Sequence, residues 1–118
     1  MSTLLLLLFA ACSGKPAEPS VWLPSTFADF QDGVGSATAD ELTTNRMVLK
    51  YEDEDAGNQW ATWSALMERN GYTWDGEPSN AMGMTFDTFT HPNGEVRKLI
   101  VVGRGGDVFV QMDVEDAE

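Results

Sequence analysis

Only one cysteine and one histidine occur in the 118 residues. A disulfide framework, or a zinc site built from several Cys and His ligands, cannot be assembled from one copy of such a chain. Positive charge is also scarce. Seven Lys and Arg stand against 19 Asp and Glu, a net charge of -12, with a pI near 4.2. That surface repels phosphate backbones, which excludes nucleic-acid binding as a function class. Long apolar runs are absent except for Leu4 to Ala11. A helix of that length would reach about 12 Å, against a hydrocarbon core of about 30 Å, so it is too short to span. What is present is 42% hydrophobic and 10% aromatic residues. This is enough to build a packed core and argues against wholesale disorder.

The apolar run has the length of the hydrophobic region of a secretory signal, and Ala10 and Ala11 supply the small residues expected at a cleavage site. Phe9-Ala10-Ala11-Cys12 resembles the lipobox of bacterial lipoprotein signal peptides. The resemblance implies that the Cys12 sulfur receives a diacylglycerol, that cleavage precedes Cys12, and that Cys12 becomes the first residue of the mature chain. Ser13 is not the Asp that resembles an inner-membrane retention signal, so the resemblance implies an outer-membrane location facing the periplasm. Two or more acyl chains hold stably where one is marginal, at about 0.8 kcal/mol per buried methylene. The stretch SGKPAEPS after Cys12, with two prolines, a glycine and two serines, reads as a tether. The expected organisation is a signal peptide over 1–11, a lipidated cysteine and tether over 12–20, and one domain over 21–118.

Within that domain, Val21 to Phe30 carries Trp22, Phe27 and Phe30 and reads as an extended entry segment. Asp32 to Thr44 is rich in Gly, Ser, Thr, Ala and Asp and reads as a loop. Met47, Leu49 and Tyr51 alternate with Arg46, Lys50 and Glu52, the pattern of a half-buried strand, with Val48 the one apolar residue on the polar side. Trp60, Trp63 and Met67 then recur at helical spacing, widened by Ala56 and Leu66. Asp55 suits the N-cap, and Asn70-Gly71 suits the end. Met82 to Thr90, Val96 to Val102 and Asp107 to Val114 read as three strands. They are joined by HPNGE, a type I turn with Gly94 left-handed, and by a Gly103–Gly106 loop. The expected fold is α+β in two layers: one helix packed on an antiparallel sheet, in the order strand, helix, three-stranded meander.

Few residues invite a chemical reading. Trp60 and Trp63 belong to the helix stripe and to the core. Trp22 and Trp74 sit beside loops and are candidate binding residues, since exposed aromatics line ligand edges. The run Glu52, Asp53, Glu54, Asp55 offers oxygen ligands, but as an EF-hand loop it fails. Counted from Asp53, the turn-glycine position is Asn58. His91 falls at a turn with no nucleophile arrangement requiring it. GRGGD lacks the spacing of a phosphate loop, leaving Arg104 as an exposed cation at a loop tip and a candidate partner contact.

No metal ligand set and no cofactor motif is found, and no enzyme is expected, since one histidine leaves only carboxylates for acid–base work. The reading is a small acidic lipid-anchored envelope protein, an interaction or scaffold module whose partner is a basic envelope protein or binds exposed apolar residues. The alternative is a periplasm-facing binder of a small ligand or ion.

Overall fold

A computed structural model describes residues 20–74 and 76–115. The expected signal peptide over 1–11, Cys12 and the stretch expected as a tether up to residue 19 lie outside the described residues. Asp55 opens the helix α1 (Ala56–Arg69) as expected: its carboxylate accepts from the Asn58 N–H at 3.0 Å. Gly71, at φ 95°, closes it, and the Tyr72 N–H bonds back to the Met67 carbonyl at 3.0 Å. Trp63, Leu66 and Met67 form its buried stripe, with Trp60 half-buried beside them.

The sheet has six strands, all antiparallel, in the spatial order β1-β2-β6-β5-β4-β3. Their bounds are β1 Thr38–Leu42, β2 Arg46–Glu52, β3 Ser79–Ala81, β4 Met84–Thr90, β5 Val96–Arg104 and β6 Asp107–Val114. The class is therefore α+β, but the expected strand–helix–three-strand order is too short. Two further strands, β1 and β3, form the sheet's outer edges. Both consist almost wholly of exposed residues, so neither shows an apolar period. β1 lies inside the segment read as a loop. Its register shifts at a bulge between Ala39 and Glu41.

Val21 to Phe30 departs further from expectation. Ser25–Gly33 is a 3-10 helix rather than an extended strand, starting with the Phe27 N–H on the Pro24 carbonyl at 2.8 Å. A 3-10 helix stacks residues i and i+3, which aligns Phe27, Phe30 and Gly33 along one side. Phe27 and Phe30 are buried, and Phe30 stacks on Trp63 with ring centroids 6.5 Å apart. At Gly33 the segment meets α1: a Cβ there would overlap Leu66 Cδ1 and lie 3.1 Å from Trp63 Cζ2. Glycine is what allows this approach.

The core lies between the sheet and the layer of α1 and the 3-10 helix. The sheet contributes Met47, Leu49, Tyr51, Phe89, Leu99, Val101, Val108, Val110 and Met112. Arg97 is buried among them, its guanidinium 5.4 Å from the Phe27 and Phe30 ring centres and 5.6 Å from that of Tyr72. The strands flip side chains with period two, so the same register that fills the core fixes the composition of the opposite face.

Candidate functional site: the open face of the sheet

α1 and the 3-10 helix both pack on one face of the sheet, and no described helix packs on the other. Alternation and register place Val48 on β2, Phe109 and Gln111 on β6, Ile100 and Val102 on β5, and Met84 and Phe86 on β4 side by side there. Val48, Met84, Ile100, Val102, Phe109 and Gln111 line a shallow groove of about 300 Å³, closed at its ends by Asp40, Glu41 and Arg104. The floor is thus apolar and continuous over four strands.

Charge frames this floor. Arg46, Lys50, Lys98 and Arg104, four of the seven basic residues, point to the same face. Arg46 is held by Asp113 at 2.7 Å, and that hydrogen bond raises the guanidinium further above its usual pKa. Lys50 lies 3.7 Å from Asp107. Lys98 instead lies over the Phe86 ring at 5.6 Å, and Arg104 over Phe109 at 5.7 Å. In both pairs the charged group itself sits over the aromatic face. With Asp40, Glu41, Glu52, Asp107 and Asp113 nearby, the face is close to neutral on a chain of net charge -12. The acidic excess belongs to the rest of the molecule.

The residues singled out from the sequence scatter. Arg104 falls in the groove, although it ends β5 instead of tipping a loop; only Gly105 and Gly106, at φ 63° and 91°, make the turn. Trp22 is exposed, at 67%, three residues ahead of the 3-10 helix. Trp74 is not an exposed edge. Its ring packs 5.1 Å from Phe89 and 5.7 Å from Trp60, and its indole N–H donates to Glu68. His91 is half-buried, edge-on to Tyr72 at 5.0 Å, and its Nδ1 accepts from the Asn93 N–H at 3.1 Å. Among the described residues no group of three or more His, Cys, Asp or Glu comes together as a metal site.

Sequence reasoning missed the groove itself. Its one signal was Val48, an apolar residue on a side otherwise read as polar, together with β5, where both alternating sets are apolar. No described helix is long and apolar enough to cross a membrane. Comparison with family models, with curated proteins and with solved structures finds no match for this chain.

Proposed function

We propose that this chain is a lipid-anchored interaction module of the cell envelope, held to the outer membrane through acylated Cys12, with the open sheet face as its contact surface. The anchor reading rests on the lipobox resemblance of Phe9 to Cys12. The contact reading rests on one observation: six apolar side chains, five half-buried and Val48 buried, lie contiguous on a sheet face against which no described helix packs, flanked by four of the chain's seven cations. A contiguous, partly exposed apolar patch rimmed by polar groups is what an association surface presents.

The near-neutral face changes the expected partner. A basic partner would be drawn to the acidic remainder of the surface, whereas this face accepts an apolar, charge-balanced one. The groove also supports the second reading, a small-ligand binder, because Arg104 and the Asp40–Glu41 pair stand at opposite ends of an apolar floor. Its open shape favours a protein surface, since small-ligand sites enclose most of their ligand.

A photoreactive residue at Ile100 in the full chain, expressed in cells, should give a protein adduct. The same residue at Thr62, exposed on α1, should not. Equal labelling at the two positions, or none at Ile100, would overturn this reading.

A further inference from the structure

Resting on the interaction-module reading, we infer that the occupant of the open face is a second copy of this chain, packed sheet to sheet about a two-fold axis. The axis runs along the strands midway between β5 and β6. The register carries the argument. Across that midline Lys98 pairs with Asp113, Arg104 with Asp107, and Val102 with Phe109. A two-fold axis lying on the midline exchanges the two members of each such pair between copies. Lys98 of one copy then faces Asp113 of the other, and Arg104 faces Asp107, each twice by symmetry. Phe109 meets Val102. One strand further out, Val48 beside Gln111 meets Phe86 beside Ile100, and Lys50 meets Met84. No like charges are brought together.

Other arrangements are worse. A two-fold axis running across the strands would set Lys98 over Arg104 and Asp113 over Asp107. Edge-to-edge pairing is obstructed at β1 by the bulge and by Asp40 and Glu41 and at β3 by a length of three residues. The acidic excess of the chain lies off this face, so like charge opposes pairing through the rest of the exterior. At physiological ionic strength the Debye length is about 8 Å, which suppresses the long-range repulsion and leaves contact pairs in place. Face-to-face sheets pack about 10 Å apart and cross at about 30°, so the pairs near the axis stay in register while the outer ones slide.

The size of the face sets the strength. The 39 strand residues, each covering about 3.3 Å along the strand and about 4.8 Å across it, project roughly 600 Å² per copy. That is somewhat less than the roughly 800 Å² per partner of a standard stable interface, so the dimer is reversible and concentration-dependent.

The test is sedimentation of the full chain in nonionic detergent between about 5 and about 500 µM. Wild type should shift from monomer to dimer across that range. Lys98→Glu combined with Arg104→Glu makes all four charged positions of the pairs acidic. Asp107→Lys combined with Asp113→Lys makes them basic. Each double variant alone should remain monomeric, and an equimolar mixture should form a heterodimer with at least wild-type affinity. Near-ultraviolet circular dichroism checks that both variants are folded, and Lys98→Glu alone is a milder variant that should weaken association at least tenfold. A wild type that stays monomeric throughout, or a mixture that associates no better than its components, overturns the proposal. If the wild type is monomeric while Ile100 still crosslinks to a different protein, the dimer falls and the interaction module stands. If Ile100 crosslinks to nothing, both fall.

Discussion

The Tyr72 hydroxyl donates a 2.7 Å hydrogen bond to Oε1 of Glu95, whose other oxygen accepts from Arg97 at 2.9 Å. Arg97 also donates to the Thr26 carbonyl at 3.0 Å, which ties the end of the helix, the β4–β5 turn and the 3-10 helix into one network. A cation this deeply buried is tolerated only when paired and hydrogen-bonded, and its three aromatic neighbours supply the rest of its environment. This network spends a basic residue on the core in a chain that has seven. The cations left for the surface are then concentrated on the open sheet face. The two faces of the sheet thereby differ, one holding the fold together and the other, apolar and flanked by cations, being the face proposed for contact.

The acid limb of stability should depend on Glu95. Burial alone would raise its pKa, but the hydrogen bonds from Tyr72 and Arg97 outweigh burial and lower it. A depressed carboxylate contributes stability that is full above the unfolded range, about 4.3, and is lost as pH falls through the folded value. Glu95→Gln should therefore flatten the decline in melting temperature below about pH 4.5, while lowering stability at neutral pH by about 2 kcal/mol, discounted for a carboxylate that is partly exposed. An unchanged acid limb in that variant would remove Glu95 as its cause.

The alkaline limb belongs to the tyrosines. Burial pushes the Tyr51 phenol up to about 12, and its hydroxyl donates to the Gly33 carbonyl at 2.8 Å. Tyr72 is raised by burial and by its bond to Glu95. A raised pKa means stability that is complete below the unfolded value, about 10, and lost as pH rises through the folded one. Unfolding should set in above about pH 10, and Tyr51→Phe should reduce the slope there while costing about 1 kcal/mol at pH 7. Melting curves between neutral and alkaline pH give both quantities.

Two tryptophans should behave oppositely. Trp63 has no exposed surface and packs on Phe30, so Trp63→Ala should cost about 3–5 kcal/mol. Trp22 is 67% exposed, and Trp22→Ala should stay within about 0.5 kcal/mol. Denaturant midpoints decide, and a comparable loss at both positions would contradict the burial pattern.

How far the sequence revealed these features follows from how each residue is used. The helix was legible because Trp60, Trp63 and Met67 keep one apolar stripe between a cap at Asp55 and a stop at Gly71. β2 and β6 were legible because one face of each is an unbroken apolar alternation, Met47, Leu49 and Tyr51 on β2 and Val108, Val110 and Met112 on β6. The HPNGE turn was legible too, with Gly94 at φ 96° and its N–H on the His91 carbonyl at 2.8 Å. β1 was hidden because Thr38–Leu42 lies at an edge and buries almost nothing. The 3-10 helix was hidden because Phe27 and Phe30, three apart, match no strand period and give too short a run for a helix. The open face was hidden for a different reason. Its residues come from four strands, and only the pairing register shows that Val48, Phe86, Ile100 and Phe109 are neighbours. Trp74 misled because a residue next to a glycine-rich segment can still be packed, here against Phe89 and Trp60.

The junction at Gly33 should be intolerant of a single methyl group. Its position on the 3-10 helix leaves no room between Leu66 and Trp63, both buried. Leu66 can rotate its terminal methyl, whereas the Trp63 indole is fixed between the two layers. Gly33→Ala should cost about 1–3 kcal/mol through overpacking. Gly105→Asn is the control, because the two-residue turn requires positive φ at both positions, and Asn-Gly satisfies it. That substitution should be neutral within about 0.5 kcal/mol. Equal melting temperatures for Gly33→Ala and wild type would show that the 3-10 helix is free to shift away from α1.

Membrane attachment is expected to depend on the Cys12 sulfur and not on surface charge. The segment proposed for removal, residues 1–11, contains no Lys, Arg, Asp or Glu, so the full balance of -12 would stay with the mature chain. Anionic headgroups repel a surface of that sign, so electrostatics cannot hold it to a membrane. Acyl chains can, because their burial is apolar and insensitive to salt. Metabolic labelling with a fatty acid should mark the wild type and fail with Cys12→Ser, which should also accumulate as an unprocessed precursor. Washing membranes in about 1 M salt, where the Debye length falls to about 3 Å, should leave the wild type bound. Release by salt, or labelling that survives Cys12→Ser, would mean that the protein is held by something other than a lipid on this cysteine.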